Sequence, residues 1–143
     1  NLLPGVYVSR KDNVGGNVIT TFDLRMTRPN YEPVMNTAEV HTIEHLAATF
    51  LRNHKEYGEK IIYFGPMGCQ TGFYLLVRDL SPEESERALI DALEKTLTAG
   101  EMFGATRKEC GNYRNLSLDA AKKECAAYLA VLKERKGRFT YEQ

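Results

Sequence analysis

The chain has 143 residues, 43% of them hydrophobic, with 19 Lys and Arg balancing 19 Asp and Glu. That length fits one domain, and that apolar content is enough for a buried core, which excludes global disorder. A formal net charge of zero argues against nucleic acid as the main partner, because phosphate binding asks for a basic face. No apolar run approaches the roughly 18 residues of a membrane helix.

The first elements read as a β-hairpin. Val6 to Ser9 is a short strand, and Asn13–Gly16 is a turn. Val18, Thr20, Phe22, Leu24 and Met26 then alternate with Asn17, Ile19, Thr21, Asp23 and Arg25, a period-two strand with one mostly polar face. Arg28 to Pro33 is a loop broken by two prolines. Asn36, three residues before Glu39, begins a helix that runs to about Arg52, with Val40, Ile43, Ala47 and Phe50 as its apolar stripe. Ile61–Phe64 and Phe73–Val77 are apolar runs that suit strands covered on both faces. Ser81-Pro82-Glu83-Glu84 starts a second long helix, with Leu89, Ile90, Leu93 and Leu97 inside and Gly100 at its end. Residues 103–116 lack periodicity. Ser117 caps a last helix whose buried face holds Leu118, Ala121, Cys125, Tyr128, Leu129 and Leu132. This order predicts an α+β domain spanning residues 1–143, an antiparallel or mixed sheet covered by about three helices.

His41-Thr42-Ile43-Glu44-His45 is an HxxEH motif on the predicted helix. Residues four apart share a helix face, so two imidazoles can converge on one divalent ion, with Glu44 beside them as a base. His41, His45, Ala48 and Arg52 fall on one face, and Arg52 lies about 10 Å beyond His45 along the axis. A guanidinium there can hold an anionic substrate group. Two His do not complete a site. Cys110, next to Gly111 and just ahead of a helix, is the best candidate for a third ligand. Such a donor set accepts Fe(II), Zn(II) or Co(II). Cys69 sits in the turn Gly65-Pro66-Met67-Gly68-Cys69-Gln70-Thr71-Gly72 between the two apolar strands, where it can serve as a nucleophile or an acid–base group. Cys125 lies on an apolar helix face and reads as core. Three thiols, with no charged-then-apolar opening segment, point to the cytoplasm rather than to a disulfide frame.

Taken together, Phe22-Asp23-Leu24-Arg25, HTIEHL at 41–46, PMGCQTGFY at 66–74 and Cys110-Gly111 give a sequence that resembles the S-ribosylhomocysteine lyase (LuxS) family. The resemblance runs from about residue 5 to 135, and it is the pairing of HTIEHL with PMGCQTGFY that makes it specific. It implies a metal site of His41, His45 and Cys110, normally holding Fe(II), and Cys69 with Glu44 as the acid–base pair. It further implies Arg25 as an active-site arginine near that cysteine and Arg52 as a contact to the homocysteine end of the substrate. The reaction implied cleaves S-ribosylhomocysteine to homocysteine and 4,5-dihydroxy-2,3-pentanedione, the precursor of autoinducer-2, in a homodimer with its sites at the subunit interface. Tyr63 stands where family members usually carry an Asp, and Leu116 where they usually carry a His.

Two other readings compete. HxxEH is also a zinc-peptidase signature, in which Glu44 activates water and a downstream Glu, here Glu124, is the third ligand. A non-enzymatic metal-binding relative is the other.

Overall fold

β1 (Gly5–Val14) and β2 (Asn17–Arg25) form a hairpin joined by Gly15 and Gly16, whose φ angles are 56° and 88°. A two-residue hairpin turn that matches strand twist needs positive φ at both positions, and Gly adopts it without a Cβ penalty. The computed structural model describes residues 3–27, 35–98 and 113–140, with only the backbone over 113–117. β1 runs past Ser9 to Val14, farther than its apolar pattern reaches, because a register shift between Val8 and Arg10 lets a solvent-facing polar run keep pairing with β2.

β3 (Ile61–Pro66) and β4 (Gly72–Arg78) complete a four-stranded sheet of order β1-β2-β4-β3, antiparallel throughout. Among the described residues three helices cover it: α1 (Thr37–Arg52), α2 (Pro82–Thr98) and α3 (Tyr113–Glu134). The expected α+β architecture is therefore the observed one. Register explains the core. Phe64 and Phe22 both pair with Leu75, all three are buried, and they pack with Ile43, Leu51, Leu89 and Leu132 from the helices. Burying one such side chain stabilises the fold by about 1.5–3 kcal/mol.

The next residues along the strands face the other way. Tyr63 and Tyr74 are 46% and 40% exposed, so β3 and β4 are covered on one face and not on both. Aromatic and β-branched runs carry no mark that separates a face covered by the same chain from one left open.

Two of the three helix starts anticipated from sequence are closed capping boxes. Glu39 N donates to Asn36 Oδ1 at 2.8 Å while Asn36 N donates to Glu39 Oε1 at 3.2 Å. Ser81 and Glu84 exchange the same pair of bonds at 3.0 and 2.9 Å. α3 begins at Tyr113, so Ser117 lies inside the helix rather than capping it. No Gly or Pro stands between Gly111 and Ser117 to stop the helix earlier. The loop at 28–33, the stretch at 103–112 and Gly100 lie outside the described residues.

The third histidine has a structural role. His54 Nδ1 accepts the N–H groups of Glu56 and Tyr57, at 3.1 and 3.2 Å, and Nε2 meets Asp91 Oδ2 at 2.8 Å, tying the exit of α1 to α2. Cys125 is fully buried, as its helix face predicts, and burial with the nearby charge of Glu124 pushes its thiol up to about 12.

At Gly72 the two central strands lie tight against each other. A Cβ there would strike the Leu24 carbonyl of β2, whereas a Cβ on Gly68 meets nothing within 4 Å. Gly72→Ala is expected to destabilise the protein by about 1–3 kcal/mol. Gly68→Ala should stay within about 0.5 kcal/mol of the parent. Urea unfolding of the two variants checks this, and equal midpoints would contradict it.

Candidate active site

The HxxEH motif lies in the middle of α1, on a helix as its spacing requires. His41 and His45 stand one turn apart with ring centroids 4.3 Å from each other and ring planes at 76°. Both are half-buried, as is Glu44 between them. Two imidazoles at this separation suit a shared ion. Ala48, on the same face, is buried in the core, so the polar stripe is interrupted before it reaches Arg52. Arg52 is exposed at the last turn of α1.

Among the described residues, no group of three or more His, Cys, Asp or Glu side chains forms a metal-binding cluster. Glu124 is among the described residues and forms no such group with the histidines. Cys110 lies outside the described residues.

The turn between β3 and β4 is closed by its own backbone. Met67 N–H donates to Gly72 O at 2.9 Å, and Gln70 N–H to Met67 O at 3.0 Å. Gln70 takes the left-handed conformation, φ 59°, that tightens the turn. Three links anchor it outward. Thr71 O accepts both Met26 N–H at 2.9 Å and Thr27 N–H at 3.1 Å, just after β2. Gln70 O accepts Met35 N–H at 3.2 Å, and Gln70 Nε2 donates to Thr37 Oγ1 at 3.2 Å in the first turn of α1. The Cys69 turn is thereby fixed to the end of the helix that carries the histidines.

Cys69 is exposed, and its sulfur contacts a chain of polar groups. Sγ lies 2.9 Å from Thr71 Oγ1 and 3.9 Å from Arg25 Nη1. Arg25 Nη1 donates to Thr71 Oγ1 at 2.6 Å. Its other nitrogens hold Asp23, with Nε to Oδ1 at 3.2 Å and Nη2 to Oδ2 at 2.8 Å. The Asp23 and Arg25 side chains are only 6% and 12% exposed, so each needs the other: an unpaired charge there would carry a large desolvation penalty. The hydroxyl of Thr71 is the largest influence on the Cys69 thiol and holds it below the ordinary thiol range, against partial burial. The Thr71 backbone and the positive charge of Arg25 add to it.

The structure thus brings together Arg25 with Cys69, and His41 with His45. Arg52 stays about 10 Å past the histidines on the far end of the same helix. Sequence reasoning singled out neither Asp23 nor Thr71. Alternation did place Asp23 and Arg25 two residues apart on one strand face, which is where a bidentate pair can form.

A family model described as S-ribosylhomocysteinase (LuxS) matches residues 1–138. The S-ribosylhomocysteine lyase of Clostridium beijerinckii is 57% identical over 123 residues, covering 85% of this chain and 77% of that protein. The enzyme of the same name from Clostridium acetobutylicum is 58% identical over 122 residues, 84% of this chain and 77% of its own. That of Finegoldia magna is 54% identical over 133 residues, 92% and 84%. With the motif residues held in one framework and more than half the sequence shared across most of both chains, this chain belongs to the S-ribosylhomocysteinase (LuxS) family.

Proposed function

We propose that this chain is a carbon–sulfur lyase that cleaves S-ribosylhomocysteine to homocysteine and 4,5-dihydroxy-2,3-pentanedione, acting in the cytoplasm as a single domain per subunit. The observation that carries the reading is the exposed Cys69, held below its ordinary range beside Arg25, on a turn anchored to the helix of His41 and His45. Among the described residues no helix is long and apolar enough to cross a membrane.

The substrate's thioether sits on a sugar carbon that does not expel sulfur by itself. A carbonyl must first be moved along the sugar until it can acidify the carbon next to the C–S bond. Each shift removes a proton from one carbon and delivers it to the neighbour, so the enzyme needs groups that give up and take back a proton near neutral pH. Cys69 as thiolate suits one role and Glu44 as carboxylate the other. In the last step a base takes the proton beside the carbonyl, the C–S bond breaks, and homocysteine departs with the electron pair.

His41, His45 and Cys110 would hold a divalent cation, Fe(II) by family resemblance, with Zn(II) or Co(II) suited to the same donors. The half-buried imidazole pair on one helix face fits such an ion. When bound, the cation supplies a Lewis acid that polarises the sugar oxygens. Arg52, farther along α1, would take the carboxylate of the homocysteine part. The order along the helix, with the Cys69 turn, then the histidines, then Arg52, matches a long substrate with its sugar at one end and its amino acid at the other.

The second protomer of a homodimer would cover the open sheet face, where Ile62, Tyr63 and Tyr74 stand exposed. The product is the precursor of autoinducer-2, which assigns the enzyme to a signalling role.

Release of homocysteine from S-ribosylhomocysteine, followed with a free-thiol reagent on metal-loaded protein, tests the assignment; no release sinks it. Cys69→Ser is expected to lower turnover by about 10²- to 10⁴-fold. Because the reactive form is the thiolate, the rate should rise with pH through the lowered Cys69 pKa. Its midpoint should fall below the ordinary thiol value. An acid limb centred above that value would contradict the role.

Metal content separates the ligand sets. His45→Ala and Cys110→Ala should lose most bound iron or zinc by elemental analysis, whereas Glu124→Ala should keep it. Retention in Cys110→Ala with loss in Glu124→Ala would favour the peptidase site. Sedimentation velocity should give a dimer, and Tyr74→Glu on the open face should shift it toward monomer.

A further inference from the structure

Thr71 is 3% exposed, and its hydroxyl stands between Cys69 and Arg25. A hydroxyl has one proton and two lone pairs. Arg25 Nη1–H, at 2.6 Å, occupies one lone pair, and a guanidinium has nothing with which to accept a bond in return. The hydroxyl proton must therefore go elsewhere, and the Cys69 sulfur lies 2.9 Å away.

Arg25 and Thr71 are both held in place. Asp23 grips Arg25 with two bonds. The Thr71 backbone is pinned by the N–H groups of Met26 and Thr27. A β-branched side chain has few χ1 choices. Arg25 itself, 3.9 Å from the sulfur, acts on it chiefly through charge.

We infer that Thr71 is a positioning residue. Arg25 holds its hydroxyl as an acceptor, so that its proton points at the Cys69 sulfur and keeps it a thiolate facing the substrate space before substrate arrives. This rests on the reading of Cys69 as a proton carrier. Among the described residues, the charged group in contact with the sulfur is Arg25, itself held by Asp23; the turn adds the neutral Gln70. The lowered Cys69 pKa, to which the Thr71 hydroxyl contributes most, agrees with the geometry. Thr71 touches no atom of the substrate in this scheme and acts through the Cys69 sulfur.

The test is the pH dependence of alkylation by iodoacetamide in the full-length chain. It is read by mass spectrometry on the tryptic peptide 61–78, which holds Cys69 and neither of the other cysteines. Thr71→Val keeps the volume and removes the hydroxyl, and Thr71→Ala does the same should valine prevent folding. Thr71→Ser keeps the hydroxyl. The alkylation midpoint should rise by about one pH unit in the valine or alanine variant, and the serine variant should stay with the parent. The acid limb of the pH–rate profile should move with it.

A folded valine or alanine variant that titrates with the parent would overturn the inference. So would a serine variant that shifts as far as the valine one. Alkylation does not depend on turnover, so absence of lyase activity in the parent would count against the proposed function and leave this result to stand separately.

Discussion

The close approach of β4 to β2 at Gly72 is what makes the rest of the site geometry attainable. Because residue 72 has no Cβ, Leu24 and Arg25 can lie directly against the start of β4. Thr71, one residue earlier, then falls beside Arg25, and its carbonyl reaches the N–H groups that follow β2. A wider spacing would break the bond between Arg25 and the Thr71 hydroxyl. It would leave Arg25 held by Asp23 alone and aimed at nothing. The sheet register therefore sets the electrostatic surroundings of Cys69, and the turn that bears the cysteine has little freedom to set them otherwise.

The same constraint explains a division of labour between the two layers. The sheet and its turn carry the groups that adjust a thiol: a buried ion pair and a hydroxyl. The helix α1 carries the imidazoles, whose spacing is fixed by helical repeat alone and needs no neighbour. The two halves are joined by short polar links, Gln70 to Thr37 and Met35 to Gln70, at the N-terminal end of α1. That end is also where the Asn36–Glu39 box closes the helix. A helix start stabilised by about 1 kcal/mol of capping is thus also the fixed point from which the distance between turn and histidines is measured.

What the sequence made legible was local. Capping boxes are written in four residues and the HxxEH pair in five, and each appears in the structure where its spacing puts it; of the turn read at Asn13–Gly16, Gly15 and Gly16 form the turn while Asn13 and Val14 pair in β1. The strands could be located from their apolar runs. Whether a second layer covers both of their faces could not, because Tyr63 and Tyr74 have the same composition signature whether exposed or covered. α3 started earlier than Ser117 because a good cap residue is also tolerated inside a helix. Thr71 escaped notice for a different reason. Its significance comes from a contact with a residue 46 positions away, and no periodicity connects the two.

Asp23 shows why such long-range contacts matter more than their modest appearance in sequence. On a strand face read as polar, an Asp two residues before an Arg is unremarkable and would be worth little in water. Buried together, the two cannot be separated cheaply: removing Asp23 would leave a guanidinium desolvated beside a thiolate it would then approach more closely. The carboxylate therefore restrains the arginine as much as it neutralises it. By occupying Nε and Nη2 it leaves Nη1 as the nitrogen directed to the hydroxyl and the sulfur. A cysteine paired directly with a free arginine would gain more charge stabilisation but would be a weaker base, since nucleophilicity and basicity fall as the thiolate is stabilised. A neutral hydroxyl at 2.9 Å and the cation at 3.9 Å lower the thiol's pKa without pairing the sulfur directly with the guanidinium.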